Sequence, residues 1–358
     1  MSKIIITLYL FLFRMILNEY KYLFCDATYM MRKNLAVLQM QYDKEGTDYD
    51  VGTAAKMIFW NAKKLIRDYR SADCIVMCHD VWGDGGYIAG AVISNYQERL
   101  KREGRSDEAP EGYKSDRKYY TENDITEDMD EETKKSILSD AKRNKVKREL
   151  KNLMMNEFWK FGIINIGVRG YEADYLGYIF ASLAFNEDKK SAIVSRDMDW
   201  MASSSPMVDF LKLPVGKAEF EVLTYNDALS QLAGPLPTGM SLYQYMGYRD
   251  SLFGSHNHLT RTVRQGVKEY ETILKVYNKD FSDIENYELF NVQLSTFNVD
   301  QYPRLNDVID LYKNIPTMGR LGSVEEFREF ANKYKIDISD KYYKDFTDRL
   351  DPMLYGRS

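Results

Sequence analysis

The sequence predicts an α/β fold with a central, mostly parallel sheet. Two buried strands, 21–25 and 73–79, flank a segment (53–70) whose apolar residues recur at helical spacing, which is a β-α-β unit. Two further apolar runs, 162–168 and 191–195, are predicted strands. Strands joined through a crossover helix are parallel. Because ligands of an open parallel sheet bind beyond the carboxyl ends of its strands, residues just after each strand are candidates for a functional site.

Acidic residues follow the ends of all four predicted strands. They are Asp26, Asp80, Glu172, Asp174, Asp197 and Asp199. The last four form two pairs at i, i+2 spacing, which points both side chains of a pair the same way on an extended chain. Like charges gathered this closely repel unless a cation offsets them, and all-oxygen ligands suit magnesium or manganese rather than zinc. A single Asp at such a position more often caps the next helix, but six acids together favour a hard-metal site that serves phosphate chemistry.

Sequence motifs around these acids resemble those of the 5′-nuclease family. VRGYEAD (168–174) and IVSRDMDW (193–200) resemble the family's E-A-D-D and S-x-D-x-D-W/L motifs. Further matches follow the family's order: CDATYMMRK (25–33), VMCHD (76–80), GYKSDRKYY (112–120), MGYRDSLFGSHNHLTRTVRQGVKEYETIL (246–274) and FNVQLSTFNVDQYP (290–303). The resemblance covers about residues 21–314, and the phage RNase H and phage 5′-exonuclease branch is the nearest match.

The resemblance implies a PIN-like 5′-nuclease domain with a central mostly parallel sheet, a helical arch insertion and a C-terminal helix-turn-helix (H3TH-like) region. We expect an N-terminal extension (1–20), a nuclease domain (21–235) that contains the insertion and arch (81–160), and a helical duplex-binding region (236–358). The boundary is placed at a Gly/Pro cluster near 233–240.

The resemblance also implies an activity and its residues. The family hydrolyses phosphodiester bonds by metal-ion catalysis, as 5′-3′ exonucleases and flap endonucleases, some with RNase H-like activity. We therefore expect one or two Mg²⁺ or Mn²⁺ ions held by the six acids, with Lys114 and Arg117 stabilising charge on the scissile phosphate. The expected nucleic-acid contacts are Arg32, Lys33, Lys142, Arg143, Lys145, Lys147, Arg261, Arg264 and Lys268.

The expected substrates are branched, flapped or RNA-primed duplex DNA in phage replication. A phage single-strand binding protein or replication clamp is an expected partner. We expect a monomer in the cytoplasm of the infected bacterial host, with no membrane association.

Three positions depart from the family pattern. Tyr175, Tyr248 and His256 occupy positions that are acidic in the family and help hold its second metal. Asp250 is a candidate replacement ligand, and we expect the second ion to bind more weakly. Two alternatives stay open. One is a catalytically weakened structure-specific DNA-binding protein of the same fold. The other is a PIN-type endoribonuclease, which would lack the Y-K-x-x-R segment and the helical C-terminal third.

Charge and cysteine content bear on these hypotheses. The net charge of −5 does not by itself indicate nucleic-acid binding. Whether the protein can bind nucleic acid therefore depends on where its basic residues lie. Six Lys or Arg residues fall within 141–151, and either track a phosphate backbone or form a solvated helix face with i, i+4 ion pairs. The three cysteines lie in or beside apolar strands without zinc-like spacing, which predicts reduced core thiols.

The chain starts with an apolar run, residues 4–13. The run is too short to span a membrane, and no signal-peptide cleavage site is clear. Translation from Met15 is another interpretation. We expect a packed or disordered extension rather than a secretion signal.

Overall fold

The computed structural model describes most of the chain: residues 20–68, 72–83, 87–110, 120–213, 220–254, 262–263, 266 and 268–350. Several predictions fall outside the described residues. They concern the N-terminal run and the residues Lys114, Arg117, His256, Arg261 and Arg264.

A six-stranded sheet forms the centre, in the order β3-β2-β1-β4-β5-β6. All neighbours are parallel except β5 and β6. The strands are β1 (Tyr20–Asp26), β2 (Ala72–Cys78), β3 (Ile163–Ile166), β4 (Ser191–Ser195), β5 (Val208–Lys212) and β6 (Glu221–Leu223). The four predicted strands are confirmed, although β3 is shorter than expected. Strands β5 and β6 were not predicted from the sequence, and β6 has only three residues, none of them buried.

Twelve α-helices are described along these ranges. They are α1 (Ala27–Glu45), α2 (Val51–Asp68), α3 (Ile88–Arg102), α4 (Glu131–Glu157), α5 (Ala173–Asn186), α6 (Tyr225–Ser230), α7 (Leu242–Phe253), α8 (Glu269–Tyr277), α9 (Tyr287–Ser295), α10 (Leu305–Met318), α11 (Val324–Lys333) and α12 (Asp340–Thr347). The predicted helix at 53–70 corresponds to α2. None of the described helices has the length and apolarity needed to cross a membrane.

The chain adds strands on one side of β1 up to β3, and on the other side from β4 onward. The strand order therefore reverses between β1 and β4. Right-handed crossovers place helices on opposite faces on either side of such a reversal. On one face, Phe24 in β1 packs against Phe180 in α5, and Tyr22 packs against Tyr312 in α10, with ring centroids 5.7 and 5.8 Å apart. The helices α1, α2 and α4 pack against one another elsewhere. The reversal creates a crevice between the carboxyl ends of β1 and β4.

The insertion after β2 contacts the C-terminal region. Tyr96 and Leu100 in α3 form a small apolar cluster with Leu289 in α9. Arg99 and Arg105 both pair with Glu288, which lies beside Leu289. The C-terminal end of α3 is therefore held against α9.

The longest described helix, α4, contains the basic run. Its N-terminus is capped by Asp130, whose carboxylate accepts a hydrogen bond from the Thr133 amide at 2.7 Å. Glu131 and Glu132 follow in the first turn, where negative charge complements the helix dipole. The three acids Asp130, Glu131 and Glu132 therefore start the helix that carries the basic run.

The last two helices return to the nuclease part of the chain. Phe59 in α2 lies against four aromatic rings, those of Phe158, Phe327, Phe330 and Phe346. Gly52, in the same helix, lies against the backbone that follows α11. A Cβ added to Gly52 would lie 2.1 Å from the Tyr334 carbonyl oxygen. One hydrophobic core therefore spans the predicted boundary near 233–240, and the division into two regions stays a prediction.

Candidate active site

Three acids meet at the crevice between β1 and β4. Asp26 ends β1 and pairs in register with Cys78, two residues before Asp80. Val194 lies beside Cys25, so Asp197 emerges at the same edge of the sheet. Burial, together with the negative charges of Asp80 and Asp197, raises the pKa of Asp26 to about 7, against the lowering effect of two hydrogen bonds. Asp80 and Asp197 are thus each close enough to Asp26 to repel its carboxylate.

Each of these acids also binds backbone amides at the start of a helix. Asp26 Oδ1 accepts a hydrogen bond from the Tyr29 amide at 2.7 Å. Asp80 Oδ1 accepts one at 2.8 Å from the amide of Ala173, the first residue of α5. Asp197 accepts one at 3.2 Å from the Asp199 amide, in the 3₁₀ turn Met198–Ser203. These acids therefore cap helix N-termini and lie together at the sheet edge at the same time, since a helix N-terminus favours negative charge.

The pair Glu172 and Asp174 starts α5. Glu172 directly precedes the helix in extended conformation and is 4% exposed. Asp174 lies in the first turn, half-buried, and its carboxylate accepts a hydrogen bond from the next amide at 2.9 Å. The Asp80 bond to Ala173, which lies between them, joins this pair to the first three acids.

Two supporting residues were not among the predicted site residues. Ser195 Oγ donates to Asp26 Oδ2 at 2.9 Å and accepts from the Asp197 amide at 3.1 Å, so one hydroxyl holds both acids. Lys151 Nζ donates to the Asp80 carbonyl oxygen at 2.5 Å. Ser195 is the serine of the S-x-D-x-D pattern, and Lys151 belongs to the basic run, so both carried a sequence signal.

A second acidic group joins Asp199 to the C-terminal region. Burial, followed by the charge of Asp199, raises the pKa of Asp250 to about 7, with Glu269 adding to the effect and Arg249 opposing it. Asp250 in α7 therefore lies near Asp199, as the hypothesis of a replacement ligand requires.

Tyr175 and Tyr248 stand where the resemblance to the 5′-nuclease family predicts acids. Both side chains pack against other aromatic rings. Tyr175 is 6% exposed and meets Tyr302 edge to face, with centroids 5.1 Å apart. Tyr248 lies against Tyr277 and Phe290 at 6.1 and 6.2 Å. Tyr175 packs α5 against the segment before α10, and Tyr248 packs α7 against α8 and α9.

The donor set suits a hard divalent cation, although the side chains are not closed around one. Among the residues that the structure describes, no three His, Cys, Asp or Glu side chains are grouped so as to hold a metal ion. The raised pKa values of Asp26 and Asp250 mark the sites where a cation would offset charge. All the donors are oxygens, as Mg²⁺ and Mn²⁺ prefer.

Comparison with known proteins identifies the fold. No protein-family model and no curated protein matches the sequence. The T5 D15 protein crystallised with metal ions matches over 83% of this chain and 98% of its own, with a TM-score of 0.51 and 14% identity. The chain has the 5′-nuclease fold. The bacteriophage T5 D15 flap endonuclease, in a pseudo-enzyme-product complex with DNA and metal ions, gives a TM-score of 0.43 at 13% identity over 92% of this chain and 98% of its own. The catalytic core of Rad2 with DNA substrate gives 0.42 at 13% identity over 93% of both chains.

Within this 5′-nuclease fold, the basic run of α4 divides into two faces. Lys142 pairs with Asp48 and lies over the ring of Tyr42, 4.7 Å from its centroid. Arg143 pairs with Asp140 at 3.0 Å and donates to Gln39 at 2.6 Å. These two cations fix α4 against α1 and the loop that follows it. Their predicted contact with nucleic acid stays a prediction.

The other face of the run lines a cavity of about 590 Å³ between α4 and residues 120–123. Its cationic lining residues are Lys145, Lys147, Arg148 and Lys151. Lys145 and Arg148 are exposed, and neither forms an ion pair with any described residue. Because Lys151 touches the Asp80 carbonyl, the cavity adjoins the acids. This face can attract polyanions to the site.

A second group of cations lies around Arg196. Lys33 is half-buried, and burial together with the charges of Lys64 and Arg196 lowers its pKa. Arg196 directly precedes Asp197, and Arg32 in α1 is exposed. Lys268, the predicted duplex contact, is exposed at the start of α8 and pairs with Glu271 at 3.3 Å.

Proposed function

We propose that the chain is a metal-dependent, structure-specific 5′-nuclease that hydrolyses phosphodiester bonds, as a 5′-3′ exonuclease or flap endonuclease. The observation that carries the proposal is the convergence of Asp26, Asp80 and Asp197 at the strand-order reversal of a 5′-nuclease fold. Open α/β sheets bind ligands at this crevice.

The proposed substrates are branched, flapped or RNA-primed duplex DNA. The cavity lined by Lys145 and Arg148 supports this, because its cationic lining extends to Lys151, which contacts Asp80. A phosphate backbone bound along this lining would reach the acids. We propose removal of RNA primers or flaps during phage replication in the host cytoplasm, by a monomer that meets a single-strand binding protein or clamp.

We assign the acids to two cation positions. Asp26, Asp80, Glu172 and Asp174 would hold one Mg²⁺ or Mn²⁺, and Asp197, Asp199 and Asp250 a weaker second one. A bound divalent cation supplies Lewis-acid activation of water and offsets charge on the scissile phosphate and the leaving oxygen.

The chain's other residues position these groups. Ser195 fixes the Asp26 carboxylate and the Asp197 backbone, and Lys151 supports the Asp80 backbone. Lys114 and Arg117, outside the described residues, are proposed to stabilise charge on the phosphate. Preorganised cations act this way without proton transfer.

The test is incubation with labelled flapped, nicked and RNA-primed duplexes in Mg²⁺ or Mn²⁺, with EDTA as the metal-free control. Asp174→Asn should abolish cleavage and leave binding nearly unchanged, because it removes a ligand charge and no contact with the duplex. Asp310→Asn is the matched control, since Asp310 is exposed on α10 and pairs only with Lys313 among the described residues. Full activity of Asp174→Asn would contradict the proposal.

A catalytically weakened DNA-binding protein is the second candidate, favoured by the packed side chains of Tyr175 and Tyr248. Tight binding of flapped DNA by the unmodified protein, without cleavage in either metal, would establish it.

A further inference from the structure

Trp82 is the most exposed large apolar side chain among the described residues, at 66%. It lies two residues after Asp80, so the two Cα atoms are within about 7 Å of each other. Its indole meets the ring of Tyr87 edge to face, with centroids 4.9 Å apart and an interplanar angle of 70°. An indole so exposed leaves most of its apolar surface to water.

The backbone beside this aromatic pair is tied to the acid-bearing loop before α5. The Val81 amide donates to the Tyr171 carbonyl at 3.1 Å, and the Gly170 amide donates to the Val81 carbonyl at 2.8 Å. The Ile88 amide, next to Tyr87, donates to the Gly170 carbonyl at 2.9 Å. Trp82 and Tyr87 are therefore both adjacent to residues held beside Glu172, and the exposed ring lies next to the site.

The other three tryptophans have local partners that account for their positions. Trp200 is 3% exposed and covers Gly177 in α5. Trp159 donates its indole N–H to the Asn156 carbonyl at 2.9 Å. Trp60 is 48% exposed, with the Lys56 ammonium 4.9 Å from its ring centroid. Trp200 also follows an acid of the site, Asp199, but it is buried, so Trp82 is distinguished by combining exposure with a place beside the acids.

We propose that Trp82, supported by Tyr87, is a stacking platform for one unpaired base next to the scissile phosphate. This rests on the proposed nuclease function and adds a substrate contact to it. A base of any sequence presents a π-face, so stacking selects unpaired nucleotides without reading their identity. The occupant is therefore single-stranded DNA or RNA at a flap or 5′ end.

Binding is measured in EDTA, which prevents cleavage, by fluorescence anisotropy of labelled flapped and blunt duplexes. Trp82→Ala should weaken flap binding about 5- to 140-fold, the range for loss of one base stack, and blunt-duplex binding much less. Trp82→Phe should recover most of the affinity. An abasic series along the flap locates the contact, since the effect of Trp82→Ala should disappear when the stacked base is missing.

Intrinsic fluorescence gives an independent readout. Binding of an unlabelled flap should quench tryptophan emission in the unmodified protein and in Trp60→Phe, and most of the quenching should be lost in Trp82→Phe. Equal flap affinities of Trp82→Ala and the unmodified protein, or full quenching in Trp82→Phe, would overturn the inference alone. Failure of the unmodified protein to bind any flapped or single-stranded oligonucleotide would overturn the proposed function as well.

Discussion

Replacing Asp26 with Asn should stabilise the metal-free protein above pH 7. Asp26 is 6% exposed, and burial with the charges of Asp80 and Asp197 raises the pKa of its carboxyl from 3.8 to about 7. Asparagine keeps the shape. Its Oδ1 can accept from the Tyr29 amide, and its amide can donate to Ser195 Oγ. The substitution therefore removes charge with little change in packing.

The magnitude follows from the shift of about three pKa units, at 1.36 kcal/mol for each unit. Because the pKa of Asp26 is raised in the folded state, its contribution to stability is fully present below about pH 4. The contribution is lost as the pH rises through about 7. By pH 8 the loss amounts to about 4 kcal/mol. The asparagine side chain of the variant does not titrate, so the variant's advantage grows over this window.

The assay is urea unfolding in EDTA at intervals from pH 4 to pH 8, with Asp310→Asn as the exposed control. Adding Mg²⁺ should narrow the difference at high pH, because only the unmodified protein keeps the full ligand set. A ligand at 100 times its Kd stabilises by about 2.7 kcal/mol. A stability difference that does not change with pH, or a less stable variant at pH 8 in EDTA, would refute the reasoning.

Three further predictions concern other parts of the site and fold. Each of Lys145→Ala and Arg148→Ala should lower the slope of log affinity against log salt by about 0.7–0.9 in flap-binding titrations, and an unchanged slope would mean a solvated surface. Asp250→Asn should raise the Mg²⁺ concentration for half-maximal cleavage without changing duplex binding in EDTA, whereas an unaltered Mg²⁺ titration would exclude Asp250 as a ligand. Gly177→Ala should cost about 1–3 kcal/mol in urea unfolding, because the added Cβ would lie 2.3 Å from the Trp200 ring. Equal stability would show that the ring moves aside.

Local sequence patterns predicted the parts of the molecule that depend on neighbouring residues. A buried parallel strand is a continuous apolar run, so β1, β2, β3 and β4 could be found, and with them the acids at their ends. The three residues of β6 depend on pairing with β5, which no local pattern reports.

Which face of a helix meets which neighbour depends on tertiary packing, so it could not be predicted from local sequence patterns. All the cations of the basic run looked equivalent in sequence, yet Lys142 faces Asp48 while Lys145 lines the cavity. Which face of α4 meets α1 is decided by the packing of both helices. Docking of α3 on α9 through Leu100 and Leu289 likewise joins segments far apart in the chain.

The return of α11 and α12 to α2 has a consequence for synthesis. Phe59 is translated long before Phe327 and Phe346, which cover it. At about 5–20 residues per second, the interval is on the order of tens of seconds. During that time the nascent chain exposes the aromatic face of α2 at the ribosome, where chaperones or aggregation compete for it. A message truncated before residue 324 should therefore yield insoluble protein, even though it encodes every acid of the site.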